Sequence, residues 1–376
     1  MINLSQEQVA LQEKAYEFAK EHLQPNEAKW ETEGTFPYDT FKLAIKEGFV
    51  GMGIPKELGG QGMSLLETCL VYESLARGSF PFTFSLGVHN VVSYGVYLAN
   101  AEENIIREIA TGEKMIAIAL TEPGAGSDPA SMSTTATLKD DGYVINGTKN
   151  WVTNGHESEY IATVVKDSEN PYKTLMLLVK NSDKGMKLVD SPKKSGANYI
   201  STSTIEFKNC LIPKERLISE EGLKGALTTI TYARLFVAAH SLGLTQQALD
   251  EAVRYLGNRP QFGQPLIKNQ GIQWTLAELY SKLEAARWLT YHAASLADQN
   301  KVSNSKIAMA KLLATELAMK ATTESSQLFG SYGILQSYPM ERYMKYAKIS
   351  QIIDGTSQIM KLVIGKDIEK RALRDH

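Results

Sequence analysis

The stretch Gln351-Ile352-Ile353-Asp354-Gly355-Thr356-Ser357-Gln358-Ile359 sets an acid directly before a glycine, with two hydroxyls and an amide behind it. A short acid there can cap the helix that Ile359, Leu362 and Val363 outline, or it can act as a general base. Ala119-Leu120-Thr121-Glu122-Pro123-Gly124-Ala125-Gly126-Ser127-Asp128 offers backbone N–H groups and small hydroxyls to a planar or phosphorylated ligand. In Gly147-Thr148-Lys149-Asn150-Trp151-Val152-Thr153-Asn154-Gly155, Trp151 and Thr153 are two apart. On a strand, that spacing puts a flat ring and a hydroxyl on one side. Arg259-Pro260-Gln261-Phe262-Gly263 ends a helical stretch with the side chain best suited to gripping a diphosphate.

The elements that must position these residues change texture twice. Ser5 and Gln8 have the form of a capping box, with Val9, Ala15, Phe18, Ala19 and Leu23 following at helical spacing. Leu65 to Leu75 and Val91 to Leu98 read as helix, with Pro81 as an interruption between them. From about Ile118, β-formers take over: Tyr160 to Val165, Thr174 to Val179 and Thr202 to Phe207. Val144-Ile145 is bracketed by the turn dipeptides Asp141-Gly142 and Asn146-Gly147. Beyond Leu223 the helical period returns through Ile272, Leu276, Leu279 and Leu283, then Ile307 to Ala321, with Gly330 as a C′ residue. The expected architecture is α+β: a helical domain over 1–114, a middle β-barrel or sheet domain over 115–220 and a helical domain, a four-helix bundle, over 221–376.

Composition narrows the function classes. A chain of 376 residues, 43% hydrophobic, can bury more than one core. Forty basic and forty-two acidic side chains give a net charge of −2 without a long basic run, so nucleic acid is not an expected partner. No apolar run approaches the ~20 residues of a membrane span. Met1 to Gln8 lacks the features of a secretory signal, and a cytoplasmic location is expected. Cys69 and Cys210 are far apart with no metal-type spacing, and the six histidines, His22, His89, His156, His240, His292 and His376, show none either. They read as structural, with His89 and His156 the two that could lie near a site, and no metal is expected.

Taken in order, the Thr121-to-Asp128 loop, the Trp151-to-Gly155 strand, the Arg259-to-Gly263 run and the Asp354-to-Gln358 stretch resemble the signature segments of the acyl-CoA dehydrogenase family. Gly51 to Gly62 and Phe207 to Pro213 resemble further segments, so the likeness spans essentially the whole chain. The resemblance implies FAD between the β domain and the carboxyl-terminal helices, with part of its diphosphate held by a second subunit of a homo-oligomer, a tetramer or dimer. On the matching positions it implies Leu120, Thr121 and Ser127 against the flavin, and Trp151 and Thr153 over the ring. Arg259, Gln261 and Phe262 would reach the neighbouring subunit's cofactor, with Gln327, Gly330, Thr356 and Gln358 as further contacts. Asp354 would be the base that takes the α-proton of an acyl thioester, its own N–H helping to stabilise the enolate oxygen. The substrate would ride on coenzyme A or an acyl carrier protein, and an electron-transfer flavoprotein or another acceptor would collect the electrons.

Three departures from that pattern stand out. The family's usual base is Glu where this chain has Asp354; at the alternative position, before Arg234, stands Ala233. Gly330-Ser331-Tyr332-Gly333 replaces a double glycine, and Lys345-Tyr346 replaces an Arg-Asp pair. Aspartate is one methylene shorter, and a displacement of about an ångström can cost on the order of 100-fold in rate, so a substrate other than a simple fatty acyl-CoA is expected. A flavin oxidase or monooxygenase acting on another carbon acid is the alternative enzyme. A non-catalytic scaffold is the third reading, and the retained Thr121, Ser127, Trp151, Thr153 and Arg259 oppose it.

Overall fold

The computed structural model describes residues 4–189 and 192–373; His376 lies outside them. The amino-terminal layer begins with α1 (Gln6–Phe18), where Ser5 and Gln8 close the expected capping box. One π-helical turn, Ala19–Leu23, follows, then α2 (Glu27–Glu33), α3 (Tyr38–Lys46), α4 (Leu65–Ala76), α5 (Phe80–Leu98) and α6 (Glu103–Ala110). Pro81 opens α5 instead of interrupting a helix: it sits in the first turn, where its missing N–H has no helical partner to lose.

The middle layer is an eight-stranded sheet built from β1 (Ile116–Ala119), β2 (Thr135–Lys139), β3 (Gly142–Thr153), β4 (Tyr160–Asp167), β5 (Thr174–Lys180), β6 (Met186–Val189), β7 (Thr202–Ile212) and β8 (Leu217–Ser219). Its order is β6-β7-β3-β2-β4-β5-β8. β1 and β2 both run parallel to β4 and pair with successive parts of it, β1 from Tyr160 to Thr163 and β2 at Lys166 and Asp167. The intervening chain, which carries Thr121 to Asp128, therefore has to leave the sheet at its rim.

Asn146-Gly147 is not the turn its sequence suggests. β3 runs through it with a register shift against β7 between Ile145 and Gly147, and Gly147 takes φ +142°, packed against Thr134. A bulge and a tight turn demand the same residue types, because both need backbone outside the ordinary β region.

The carboxyl-terminal layer holds α7 (Gly222–Asn258), a hairpin of β9 (Pro260–Gln261) and β10 (Gln264–Pro265), and then α8 (Gln270–Asp298), α9 (Asn304–Leu328), α10 (Met340–Ile352) and α11 (Ser357–Ala372). Gly330 takes φ +59° just past the end of α9, as its C′ role requires. α9 touches α7, α8, α10 and α11. One apolar core, including Leu86, Ile116, Leu178 and Phe236, fuses the amino-terminal helices, the sheet and α7. The architecture is α+β, helices then sheet then helices.

Candidate active site

Where the three layers meet lies an open cleft of about 1490 Å³. Leu120, Thr121 and Ser127 line it from the loop, Trp151 and Thr153 from β3, and Asp354 and Thr356 from the α10–α11 turn. Arg259, Gln261, Phe262, Gln327, Gly330 and Gln358 are not in its wall; all six are exposed. Phe262 tips the β9–β10 hairpin, 97% exposed at φ +52°, and the Arg259 guanidinium sits 5.8 Å from the centre of the Tyr332 ring.

A buried ion pair fixes the loop to the strand. Lys149 Nζ donates to Glu122 Oε1 at 2.7 Å and to the Leu120 carbonyl at 3.1 Å. Glu122 also accepts from Ser133 N and Oγ at 2.6 and 2.7 Å and from Thr134 N at 3.0 Å. Burial would raise the Glu122 pKa, but donors from Lys149, Ser133 and Thr134 surround the carboxylate and hold it down at about 2. Lys149 is pushed down by burial against the pull of Glu122. Asn150 N donates to the Thr121 carbonyl at 2.8 Å, a second tie between loop and strand.

Trp151 stands at φ +60° in a second β3 bulge, between Lys149 and Val152. The bulge breaks strict alternation, yet Trp151 and Thr153 both reach the cleft, and the indole stays 58% exposed. The cleft exceeds the ~300–1,000 Å³ of a typical small-molecule site, enough for a dinucleotide and a substrate together. An open aromatic face, the hydroxyls of Thr121, Ser127 and Thr153, and unobstructed space at Gly124 and Gly126 suit a flavin with a phosphate tail.

Asp354 caps nothing. Thr356 is the N-cap of α11, its Oγ1 accepting from Ile359 N at 3.3 Å. Asp354 instead holds φ +53° between two helices, a left-handed conformation that outside glycine is found mainly at short polar residues such as asparagine and aspartate. Lys311 Nζ, on the buried face of α9, donates to the carbonyls of Ile353 and Gly355 at 2.8 and 2.6 Å. Arg234 Nε, on α7, donates to the carbonyl of Asp354 itself at 2.9 Å. Burial raises the Asp354 pKa above its ordinary value, and the charges of Lys311 and Arg234 partly offset it.

Lys311 was invisible to motif reading. One signal could have found it: a lysine on the same helical face as Ile307, Ala308, Ala310 and Ala314 in a predicted apolar stripe.

Beneath Asp354 the cleft continues into a chamber of about 30 Å³ walled by Val88, Val91, Val92, Ile118, Phe236 and Val237. Ala233 lines it and presents a methyl group. Four acids line the cleft among the described residues: Glu122, Glu220, Glu221 and Asp354. Glu122 is committed to Lys149, while Glu220 and Glu221 pair with Lys173 and Lys224 at the exposed edge. Asp354 is the acid left at the chamber. His89 is structural, its ring nitrogens engaged with the Ile109 carbonyl and the Ile116 N–H. His240, in contrast, lines the chamber. No cluster of metal ligands occurs among the described residues.

Comparison with known proteins bears on the chain as a whole. Family models for the acyl-CoA dehydrogenase N-terminal, middle and C-terminal domains match residues 5–112, 117–210 and 220–369. The chain is 36% identical over 376 residues to benzylmalonyl-CoA dehydrogenase of Aromatoleum aromaticum, covering 97% of this chain and 99% of the relative. It superposes on butyryl-CoA dehydrogenase from Megasphaera elsdenii with a TM-score of 0.94 at 30% identity, covering 98% and 99% of the two chains. On the prolyl acyl carrier protein oxidase AnaB the score is 0.93 at 26% identity, covering 97% and 100%. With three domain models in order and relatives matched end to end, the chain belongs to the acyl-CoA dehydrogenase family of FAD-dependent oxidoreductases.

Proposed function

We propose that the protein removes two hydrogens from the α and β carbons of a short acyl thioester, with Asp354 taking the α-proton. The observation that carries this reading is the placement of Asp354, the uncommitted acid at the mouth of an apolar chamber, with the chain on either side of it clamped by Arg234 and Lys311. Clamping keeps the carboxylate in one orientation, so little reorganisation is needed when the proton moves. Its raised pKa makes it a stronger base than an exposed aspartate.

FAD, when bound, supplies the acceptor for the β-hydride. Leu120, Thr121, Ser127, Trp151, Thr153 and Thr356 would hold it from this subunit. Arg259, Gln261, Phe262, Gln327, Gly330 and Gln358, which are exposed and outside the cleft wall, would serve the cofactor of a neighbouring subunit in a dimer or tetramer. The likeness to benzylmalonyl-CoA and butyryl-CoA dehydrogenases supports coenzyme A as carrier, and the likeness to AnaB supports an acyl carrier protein. An electron-transfer flavoprotein or comparable acceptor would then reoxidise the enzyme.

Anaerobic mixing with short acyl thioesters on either carrier should bleach the flavin of the wild type and leave that of Asp354→Asn unchanged. Bleaching that survives the substitution would remove Asp354 from the mechanism. Stoichiometric peroxide on admitting air would move the protein to the oxidases of the same fold.

A further inference from the structure

His240, on α7, is 1% exposed, and neither of its ring nitrogens has a hydrogen-bond partner. Buried polar groups are almost always paired, because an unpaired one forfeits its water contacts with no return. This one stands on the wall of the chamber beneath Asp354. Its ring is edge-on to Tyr72 with 4.7 Å between centroids, and Phe80 and Phe84 stand at 6.1 and 6.4 Å. On the α5 side the wall is Gly87, where a Cβ would come within 2.9 Å of the ring's Cε1 and 3.2 Å of Nε2. Thr229, the chamber's hydroxyl, is already committed to the Gly225 carbonyl at 3.1 Å.

Burial in this apolar cage keeps the imidazole neutral, with its pKa down at about 3. A neutral imidazole presents one donor and one acceptor. The chamber's 30 Å³ is about the share of one liquid water molecule, so whatever meets the ring is small. Apart from Asp354, which it shares with the cleft, its valine, isoleucine and phenylalanine walls carry no charge, so a charged tail would find no counter-ion of its own beside the ring.

Resting on the acyl-thioester reading above, we propose that His240 is a specificity-determining residue: it hydrogen-bonds an uncharged oxygen, a hydroxyl or a ketone, that a short acyl group carries beyond its β carbon. Asp354, shared by the cleft and the chamber, addresses the α carbon, while His240, which lines the chamber alone, addresses the tail. An alkyl tail of the same size leaves His240 unpaired and is disfavoured.

The test compares 4-hydroxybutyryl with pentanoyl thioesters, which differ by a hydroxyl in place of a methyl, each on coenzyme A and on an acyl carrier protein. Loss of two hydrogens is followed by mass spectrometry. The wild type should prefer the hydroxylated substrate in kcat/KM by about tenfold or more, the range expected when a buried partner is left unpaired. His240→Leu should reverse the preference, and His240→Gln, which keeps a donor and an acceptor, should retain it. A wild-type preference for pentanoyl, or a ratio that His240→Leu leaves unchanged, overturns the proposal; the latter is what a water merely lodged against the ring would give. Binding is read separately by titrating the Asp354→Asn flavoprotein with 4-hydroxybutyryl-CoA and following the ring-nitrogen NMR shifts of His240. A shift with that ligand and none with pentanoyl-CoA supports the inference even if no thioester is turned over, the result that would defeat the dehydrogenase reading alone. Identical responses to both ligands overturn it.

Discussion

Arg234 Nε donates to the backbone carbonyl of Asp354 at 2.9 Å, so a cation on α7 grips the main chain of the acid whose carboxylate it also steadies by charge. Lys311 repeats the arrangement from α9 on the two neighbouring carbonyls. Contacts from two helices thus hold the turn on either side of Asp354, whose short polar side chain tolerates φ +53°.

Lys311→Met removes two hydrogen bonds and one positive charge. Because the Lys311 charge lowers the Asp354 pKa, its loss should move the acid limb of the kcat/KM profile to higher pH. Turnover at neutral pH should fall by tenfold or more if the carboxylate also loses its aim. Lys311→Arg should recover part of both effects, and a pH–rate profile of the three proteins checks this.

Asp354→Asn should abolish flavin bleaching yet raise thermal stability at neutral pH. The folded protein holds the Asp354 proton more tightly than the unfolded chain does, so this group's stability is present below the ordinary carboxylate range and lost as pH rises through its raised value. The amide never pays that penalty, and melting curves at pH 4 and pH 7.5 would show the gain at the higher pH only. Asp354→Glu moves the carboxylate outward by about an ångström and should raise turnover of unbranched acyl-CoA, a step worth up to ~100-fold when geometry limits the rate.

Lys149→Met leaves Glu122 buried with no counter-ion, which should cost ~3–5 kcal/mol and weaken FAD uptake through the Thr121-to-Ser127 loop. In the wild type Glu122 has a pKa depressed from 4.5 to about 2, so its stabilisation is complete above 4.5 and fades as pH falls towards 2. Acid unfolding monitored by circular dichroism should begin at a higher pH in Lys149→Met.

Thr356→Val keeps the shape of the side chain and removes the α11 cap, a loss of ~1 kcal/mol. In the capped state Oγ1 accepts from Ile359 N, leaving its own proton to donate into the cleft. Denaturant melts should show the stability loss, and FAD titration a separate loss of affinity.

What the sequence disclosed follows the range of the forces involved. The Ser5–Gln8 cap and the Gly330 stop are local, and both formed as read. Pro81 and Asn146-Gly147 look like breaks in the sequence because a helix start, a bulge and a turn draw on the same residues; neighbouring strands and helices decide among them. The cleft-lining Leu120, Thr121, Ser127, Trp151, Thr153, Asp354 and Thr356 were all legible as motifs. Lys311, Lys149 and His240 were not, because their meaning lies in partners, or in the lack of them, far along the chain. Lys311 meets carbonyls 42 and 44 residues away.

Trp151, raised from β3 by a bulge and left 58% exposed, also has an optical consequence. Alone among the four tryptophans it lines the cleft. Its red-shifted emission should be quenched, and its energy passed on, when a ring system covers it. Replacing it with Phe should separate that signal from the contributions of Trp30, Trp274 and Trp288. The protein thus carries its own fluorescent gauge of cleft occupancy, readable without turnover and without an added label.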